Sequence, residues 1–193
     1  MMKLQTVTLG CSKNKVDTEH ILSQVEDLYE IVPEGEDIPV DVLLLNTCGF
    51  IGDAKEESVQ AVLEAVERKK QGHVGKVIVF GCLSQRYTSE LPDLIPEVDA
   101  WFGAREFDPV VRALGAEPKE EARESRYLTT PSHYAYLKTS EGCDRRCSYC
   151  AIPFIRGAHK SVPIEKLVEE ARRLADKGVR ELIIIAQDTT YYG

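Results

Sequence analysis

The stretch Val-Leu-Leu-Leu-Asn-Thr-Cys at residues 42–48 is a short apolar run that ends in a cysteine. Two more stretches have the same form, Val-Thr-Leu-Gly-Cys at 7–11 and Val-Ile-Val-Phe-Gly-Cys at 77–82. Runs of this kind are typical of buried strands. Helical patterns between them indicate parallel neighbours, whose carboxyl ends share the edge where open α/β sheets bind ligands. The sequence therefore predicts an open, mostly parallel α/β domain with three cysteines at that edge. They are Cys11, Cys48 and Cys82.

Helical segments separate these strands in the predicted domain. The first covers residues 15–30 and includes Leu28 among its regularly spaced apolar positions. A short helix near 85–91, a strand near 99–102 and a helix over 108–115 follow the third cysteine. These segments complete four strand–helix units.

The helix after Cys48 has the strongest pattern. Asp53 with Glu56 three residues later is typical of an N-cap and its reciprocal partner. The apolar residues that follow recur on one face of a helix that ends before Gly72. This face is predicted to contain Val59, Val62, Leu63 and Val66.

The chain divides into two domains in this interpretation. Residues 1–118 form the α/β domain, and residues 119–132, which are charged and poor in apolar side chains, are predicted to be a linker. Residues 133–193 contain a strand at Tyr134–Lys138, a helix after Pro163 and a second strand at 182–186. Two strands cannot close a barrel, so we expect these residues to be the first part of an incomplete (β/α) barrel.

A loop with three further cysteines lies at residues 141–150, Glu-Gly-Cys-Asp-Arg-Arg-Cys-Ser-Tyr-Cys. Three thiolates on one short loop can bind three irons of a cubic 4Fe-4S cluster and leave the fourth iron free for a substrate. The strand-end cysteines make a second cluster conceivable. If they bind one cluster, their sulfurs must come within roughly 7 Å of one another. The neighbouring Asn14, Asn46 and Thr47 could then hydrogen-bond the cluster sulfurs or serve only in turns and caps.

The cysteines could also have structural or zinc-binding roles. A single buried cysteine is most often a small core residue. The loop cysteines could bind zinc with a fourth ligand such as His159, which would make the chain a zinc-stabilised, non-catalytic binding module. Zinc sites usually contain two short cysteine pairs, and no second pair follows the loop, so iron-sulfur is the favoured interpretation.

The composition limits the class of protein and its partners. The chain has 193 residues, of which 43% are hydrophobic, and a formal net charge of -8. No apolar stretch approaches the roughly 20 residues that span a bilayer, and no secretory signal opens the chain, so we expect a cytoplasmic protein with reduced thiols. An acidic balance disfavours direct nucleic-acid binding and favours a basic protein partner.

The motifs together resemble a known family. The C-x3-C-x2-C loop with Tyr149 before its last cysteine resembles the radical S-adenosylmethionine (SAM) enzymes, and the three strand-end cysteines resemble the methylthiotransferases of that superfamily. Leu-Gly-Cys-Ser-Lys-Asn at 9–14 and Cys-Asp-Arg-Arg-Cys-Ser-Tyr-Cys-Ala-Ile-Pro at 143–153, with Arg156-Gly157, resemble the RimO-type branch, which modifies a ribosomal protein. The tRNA-modifying branch usually has Gln-Met-Asn after the first cysteine, and this is absent here.

This resemblance implies SAM and two 4Fe-4S clusters as cofactors. The loop cysteines would hold the SAM-binding cluster and the strand-end cysteines an auxiliary one. Tyr149 would lie near the adenine, and Gln187 and Asp188 near the methionine amino group, although helix capping is an equally good role for the latter two. The six implied metal ligands are Cys11, Cys48, Cys82, Cys143, Cys147 and Cys150.

The resemblance also implies the reaction and its partners. A radical generated from SAM would remove hydrogen from the β-carbon of an aspartate, which then receives a methylthio group. The aspartate would belong to the twelfth small-subunit ribosomal protein, with a tRNA adenosine as the alternative substrate and a flavodoxin- or ferredoxin-type protein as electron donor. Val162 stands where the family usually has arginine, which puts one contact in question. The incomplete barrel puts the activity of this chain alone in question.

Overall fold

Five parallel strands form the central sheet in the computed structural model, which describes residues 1–119 and 124–193. Every neighbouring pair is parallel, and the spatial order is β2-β1-β3-β4-β5. This is the order of a doubly wound sheet whose switch point lies between β1 and β3. The strands are β1 Met2–Thr8, β2 Tyr29–Val32, β3 Val40–Thr47, β4 Val74–Gly81 and β5 Ala100–Trp101.

Helices cover both faces of this sheet. Leu44 of β3 packs on one face with Ile21 and Val110, and Leu43 of the same strand packs on the other face with Val62. Since both faces are buried, β3 and β4 contain continuous apolar runs, at residues 42–45 and 77–80. The helices are α1 Ser12–Val25, α2 Gly52–Lys70, α3 Cys82–Arg86, α4 Leu91–Leu94 and α5 Phe107–Ala113.

Several predicted boundaries in this domain are wrong. The helix predicted over 15–30 ends at Val25, and the next residues form the short edge strand β2. Ile51, not Asp53, is the N-cap of α2 and makes no side-chain capping bond. Leu63 is exposed because α2 contacts the sheet through a narrower face than predicted. The helix near 85–91 is two short helices, α3 and α4.

The carboxyl-terminal residues form the predicted strand–helix–strand unit. Strand β6, Tyr134–Lys138, pairs in parallel with β9, Glu181–Ile185, and α7, Ile164–Asp176, connects them. This confirms an α/β fold that continues into the beginning of a barrel. In α7, Leu167 and Leu174 are buried, whereas Ile164 and Val168 are exposed.

Three short elements around the cysteine loop are absent from the prediction. Strands β7, Ser140–Glu141, and β8, Lys160–Ser161, form an antiparallel pair that brackets the loop. Helix α6, Ile152–Arg156, lies between them. The predicted linker includes residues 120–123, which lie outside the described ranges, so the two boundaries of the linker remain a prediction. Within the described ranges, no helix combines the length and apolar character needed to cross a membrane.

Candidate metal centre

The three strand-end cysteines lie at one edge of the sheet. Cys11 is the N-cap of α1, which follows β1, while Cys48 follows β3 and Cys82 is the first residue after β4. Cys48 and Cys82 are buried and Cys11 is exposed. The amide oxygen of Asn14 accepts long hydrogen bonds from two of the thiols, at 3.8 Å from Cys11 Sγ and 3.9 Å from Cys82 Sγ. The prediction that these cysteines share the carboxyl edge of the sheet is confirmed, while the 7 Å separation of their sulfurs and their role as metal ligands remain predictions.

Two glycines allow the three cysteine-bearing turns to pack closely. Gly10 has φ +89°, and a Cβ at that position would lie 2.8 Å from Cys48 Sγ. A Cβ on Gly49 would lie 2.7 Å from the backbone oxygen of Cys82. Real Cβ atoms do not approach neighbours this closely, so each turn requires glycine. The turns therefore touch one another directly.

The cysteine loop is held at its base and open at its tip. The backbone N–H of Cys143 donates to the carbonyl of Gly157 at 3.0 Å, and the N–H of Cys150 donates to that of Cys147 at 3.0 Å. Cys147 is exposed and the other two cysteines are partly exposed. Tyr149 is also strongly exposed. This open tip leaves room for a cofactor and a small molecule.

Gln187 and Asp188 follow β9 and both contact the cysteine loop. Gln187 donates to Glu141 Oε1 at 2.7 Å, two residues before the first loop cysteine. Asp188 pairs with Arg145 inside the loop at 3.0 Å and accepts from Thr190 Oγ1. The structure therefore places the two predicted residues beside the loop, while their contact with SAM remains a prediction.

Arg156, the last residue of α6, connects the two sets of cysteines. Its guanidinium is buried and donates from Nε to Cys82 Sγ at 3.3 Å. One terminal nitrogen lies 2.6 Å from Asp17 Oδ2 and 3.4 Å from Glu141 Oε2, and the other donates to Asn14 Oδ1. A side chain from the cysteine-loop region thus reaches the strand-end cysteines.

The charges around this contact are paired. Burial alone would raise the pKa of Asp17, but Lys138 and Arg156 outweigh it and hold that pKa below its ordinary value. Burial raises the pKa of the Cys82 thiol, and the adjacent Arg156 guanidinium partly offsets the rise. Asp17 therefore stays ionised in the folded protein, because its pairing with Lys138 and Arg156 compensates for the cost of burying the charge.

A second buried ion pair joins the same two parts of the chain. Arg126 precedes β6 and donates from Nε to Glu19 Oε2 of α1 at 3.0 Å. Its other donors bind Glu170 at 2.9 Å and the backbone oxygen of Tyr136. The remaining oxygen of Glu19 accepts two hydrogen bonds from Thr129, each of 2.9 Å. This network fixes α1 against the strand–helix–strand unit.

His20 makes the folded chain sensitive to acid. Its Nδ1 lies 3.0 Å from the carbonyl oxygen of Ser125 and so carries the donated proton. Burial, followed by the charges of Arg126 and Lys138, lowers the pKa of His20 from 6.5 to about 4. Between the two pKa values, about pH 4 and 6.5, the unfolded chain binds a proton that the folded chain does not. The free energy of unfolding therefore falls as the pH falls through this range.

We expect His20 to contribute about 3 kcal/mol to the free energy of unfolding at neutral pH. This contribution is lost as the pH falls from about 6.5 to 4. His20→Asn keeps a donor toward Ser125 and removes the titration. Urea unfolding of both proteins across this range checks the prediction. The variant should lose less stability between neutral and acidic pH, and equal losses in both proteins would contradict the assignment.

Several predicted residues have partners that the sequence did not indicate. Asn46 donates from Nδ2 to the backbone oxygen of Asn14, and Thr47 donates to that of Phe80, so neither side chain bonds a cysteine sulfur. His159 Nε2 lies 3.0 Å from Ser161 Oγ. Among the described residues, no group of three or more histidine, cysteine or acidic side chains is assembled around a single metal ion. Cluster thiolates differ from such a group because each binds a different iron.

The sequence alone assigns no role to Arg156, Asp17 or Lys138. Arg156 belongs to a motif of the family resemblance, but no local signal indicates its partners, since the Arg156–Cys82 and Asp17–Lys138 contacts join residues far apart in the chain. The contact between Glu19 and Arg126 is hidden for the same reason.

Two family models match this chain. One, described as "Uncharacterized protein family UPF0004", matches residues 3–103, which contain all three strand-end cysteines. The other, described as "Radical SAM superfamily", matches residues 137–193, which contain the cysteine loop. The second match begins within β6 and covers the strand–helix–strand unit.

Curated relatives carry one name. The "Ribosomal protein uS12 methylthiotransferase RimO" of Christiangramia forsetii is 53% identical over 191 residues, which cover 99% of this chain and 42% of that protein. The protein of the same name from Porphyromonas gingivalis is 50% identical over 192 residues, covering 99% of this chain and 44% of the relative. The chain spans less than half the length of these relatives. It belongs to the family described as "Uncharacterized protein family UPF0004", and its residues 137–193 match the radical SAM superfamily.

Proposed function

We propose that this chain belongs to an enzyme that adds a methylthio group to the β-carbon of an aspartate in ribosomal protein uS12. We further propose that the chain binds two 4Fe-4S clusters and SAM. One observation supports this most strongly: Arg156, which follows the cysteine loop, donates to the sulfur of Cys82. This contact links the segment that follows the cysteine loop to the strand-end site, which supports a reaction that uses both sites.

The donor chemistry of both sites fits the proposed clusters. Each site offers three thiols, and a cluster held by three thiolates keeps one iron open to another ligand. The strand-end site also offers the Arg156 guanidinium, which donates to Cys82 Sγ and suits a negatively charged cluster. The proposed ligands are Cys11, Cys48 and Cys82 at one site and Cys143, Cys147 and Cys150 at the other.

The chemistry divides between cofactor and protein. When bound, the cluster of the cysteine loop supplies the electron that cleaves SAM to a carbon radical able to attack an unactivated C–H bond. The chain's own residues position the partners. Gln187 and Asp188 lie beside the loop, where we propose that they orient the methionine part of SAM, and Tyr149 borders the same opening as a proposed adenine contact. At the second site Cys48 and Cys82 are buried, whereas Cys11 is exposed.

The substrate and partners follow from the motifs and the charge. The relatives named above are uS12 methylthiotransferases, and the chain shares about half of its residues with each. A net charge of -8 attracts a basic ribosomal protein and repels phosphate backbones. We propose a flavodoxin- or ferredoxin-type electron donor and, because ribosomes are the target, a cytoplasmic location.

Metal analysis tests the two-cluster proposal. Anaerobically prepared chain should contain about eight irons and as many acid-labile sulfides, since each cubane holds four of each. Replacing Cys143, Cys147 and Cys150 together by alanine should lower both counts by half. One zinc and no sulfide would instead support a zinc-stabilised binding module and would rule out the enzyme.

Mass spectrometry tests the substrate. The full-length protein, supplied with SAM, sulfide and a reductant, should add to uS12 the mass of a methylthio group replacing one hydrogen. Tandem fragmentation should place it on an aspartate. Addition to a tRNA adenosine with none on uS12 would reassign the substrate while leaving the two-cluster proposal intact.

A further inference from the structure

Arg156 is one of two fully buried arginines, among the described residues, that connect the amino-terminal domain with the region around the cysteine loop. Its side chain is 2% exposed, although it belongs to the short helix α6 that follows the loop. The guanidinium lies beneath the strand-end cysteines and has a partner on every nitrogen.

The partners fix the orientation of the guanidinium. Asp17 and Glu141 bind one terminal nitrogen, at 2.6 Å and 3.4 Å, and the Asn14 amide oxygen accepts from the other. These three contacts leave Nε aimed at Cys82 Sγ, 3.3 Å away. The guanidinium is planar, so binding of its two terminal nitrogens also fixes the direction of the Nε–H bond. A lysine ammonium on its flexible chain has no such fixed direction.

We propose that Arg156 is a positioning residue that sets the reduction potential of the cluster at Cys11, Cys48 and Cys82. This inference rests on the proposed function. A hydrogen bond to a ligand sulfur and a buried positive charge both favour the reduced cluster, which carries one more negative charge. Arg156 therefore makes the potential less negative.

Glu141 connects this role to the cysteine loop. It contacts Arg156, lies two residues before the first loop cysteine, and accepts from Gln187 beyond β9. Glu141 therefore links the cysteine loop to the guanidinium that contacts Cys82, through side chains in direct contact.

The test isolates one cluster. In the chain whose Cys143, Cys147 and Cys150 are all alanine, only the strand-end site can bind a cluster. The midpoint potential is then measured by redox titration monitored by electron paramagnetic resonance. Arg156→Gln should shift it to more negative values and alter the spectrum, and Arg156→Lys, which keeps the charge without the rigid fork, should shift it by a smaller amount.

Two further variants control for structural damage. Arg156→Gln leaves Asp17 paired with Lys138 alone, so the double change of Asp17→Asn with Arg156→Gln removes one charge of each sign from the buried network. Arg126→Gln is the matched control. Arg126 is 1% exposed and pairs with Glu19, so this change breaks the other buried ion pair between the same regions, at a residue that contacts no cysteine. Arg126→Gln should leave the potential unchanged.

The outcomes separate the inference from the proposed function. A potential that stays the same in both Arg156→Gln proteins, or that shifts equally in Arg126→Gln, would overturn the role of Arg156. Loss of iron in every Arg156 variant would assign this residue to cluster retention and would overturn its proposed role in the potential. Absence of iron and sulfide from the parent with an intact Arg156 would defeat the proposed function itself.

Discussion

Replacing Cys82 by alanine is expected to reduce methylthio transfer to uS12 to background while SAM cleavage to 5′-deoxyadenosine continues. Cys82 lies with Cys11 and Cys48 at the carboxyl edge of the sheet, and the loop cysteines form a separate set. Loss of one of three thiolates should prevent a stable cluster at the first site only. Liquid chromatography of the nucleoside and mass spectrometry of uS12, in the full-length protein, measure the two reactions.

Cys82→Ser provides the matched comparison. Serine has nearly the size of cysteine and can still accept from Arg156 Nε, so it preserves the packing and the hydrogen bond that alanine removes. If Cys82 is a metal ligand, serine should impair transfer almost as severely as alanine. Recovery of activity in Cys82→Ser would show that Cys82 is a structural residue, and loss of SAM cleavage in Cys82→Ala would show that the two sites are not independent.

The sheet could be predicted because most of its strands carry local signals. β3 and β4 contain apolar runs bounded by cysteine or glycine, and the helices between the strands require parallel pairing. β2 could not be found in this way. Tyr29–Val32 is short and follows α1 without a glycine or proline, so Leu28 continues the helical spacing past the true end of the helix.

The candidate site could be predicted only in its outline. Parallel strands bring their carboxyl ends together, so the meeting of Cys11, Cys48 and Cys82 follows from topology alone. The contact between Arg156 and Cys82 does not, because it depends on how α6 docks against the first domain. The close packing at Gly10 and Gly49 could be predicted only in part. A glycine beside each cysteine suggests that another group approaches closely, but it does not identify that group.

Glu19→Gln is expected to lower the free energy of unfolding by about 3–5 kcal/mol, the usual cost of breaking a buried ion pair by removing one partner. Glu19 is 0% exposed and receives two donors from Arg126 and two from Thr129. The glutamine amide cannot accept at both positions, so Arg126 would remain buried with part of its charge uncompensated. Urea unfolding monitored by circular dichroism measures the change.

A surface pair shows what the effect would be without burial. Lys70 and Glu97 lie 3.0 Å apart with both side chains exposed, and Glu97→Gln should leave the free energy of unfolding nearly unchanged because water screens the pair. Replacing Glu19 by glutamine and Arg126 by methionine together should cost less than Glu19→Gln alone, since no unpaired charge stays buried. If the double variant is as unstable as the sum of its single changes, the two residues act independently and the pair does not hold α1 against β6.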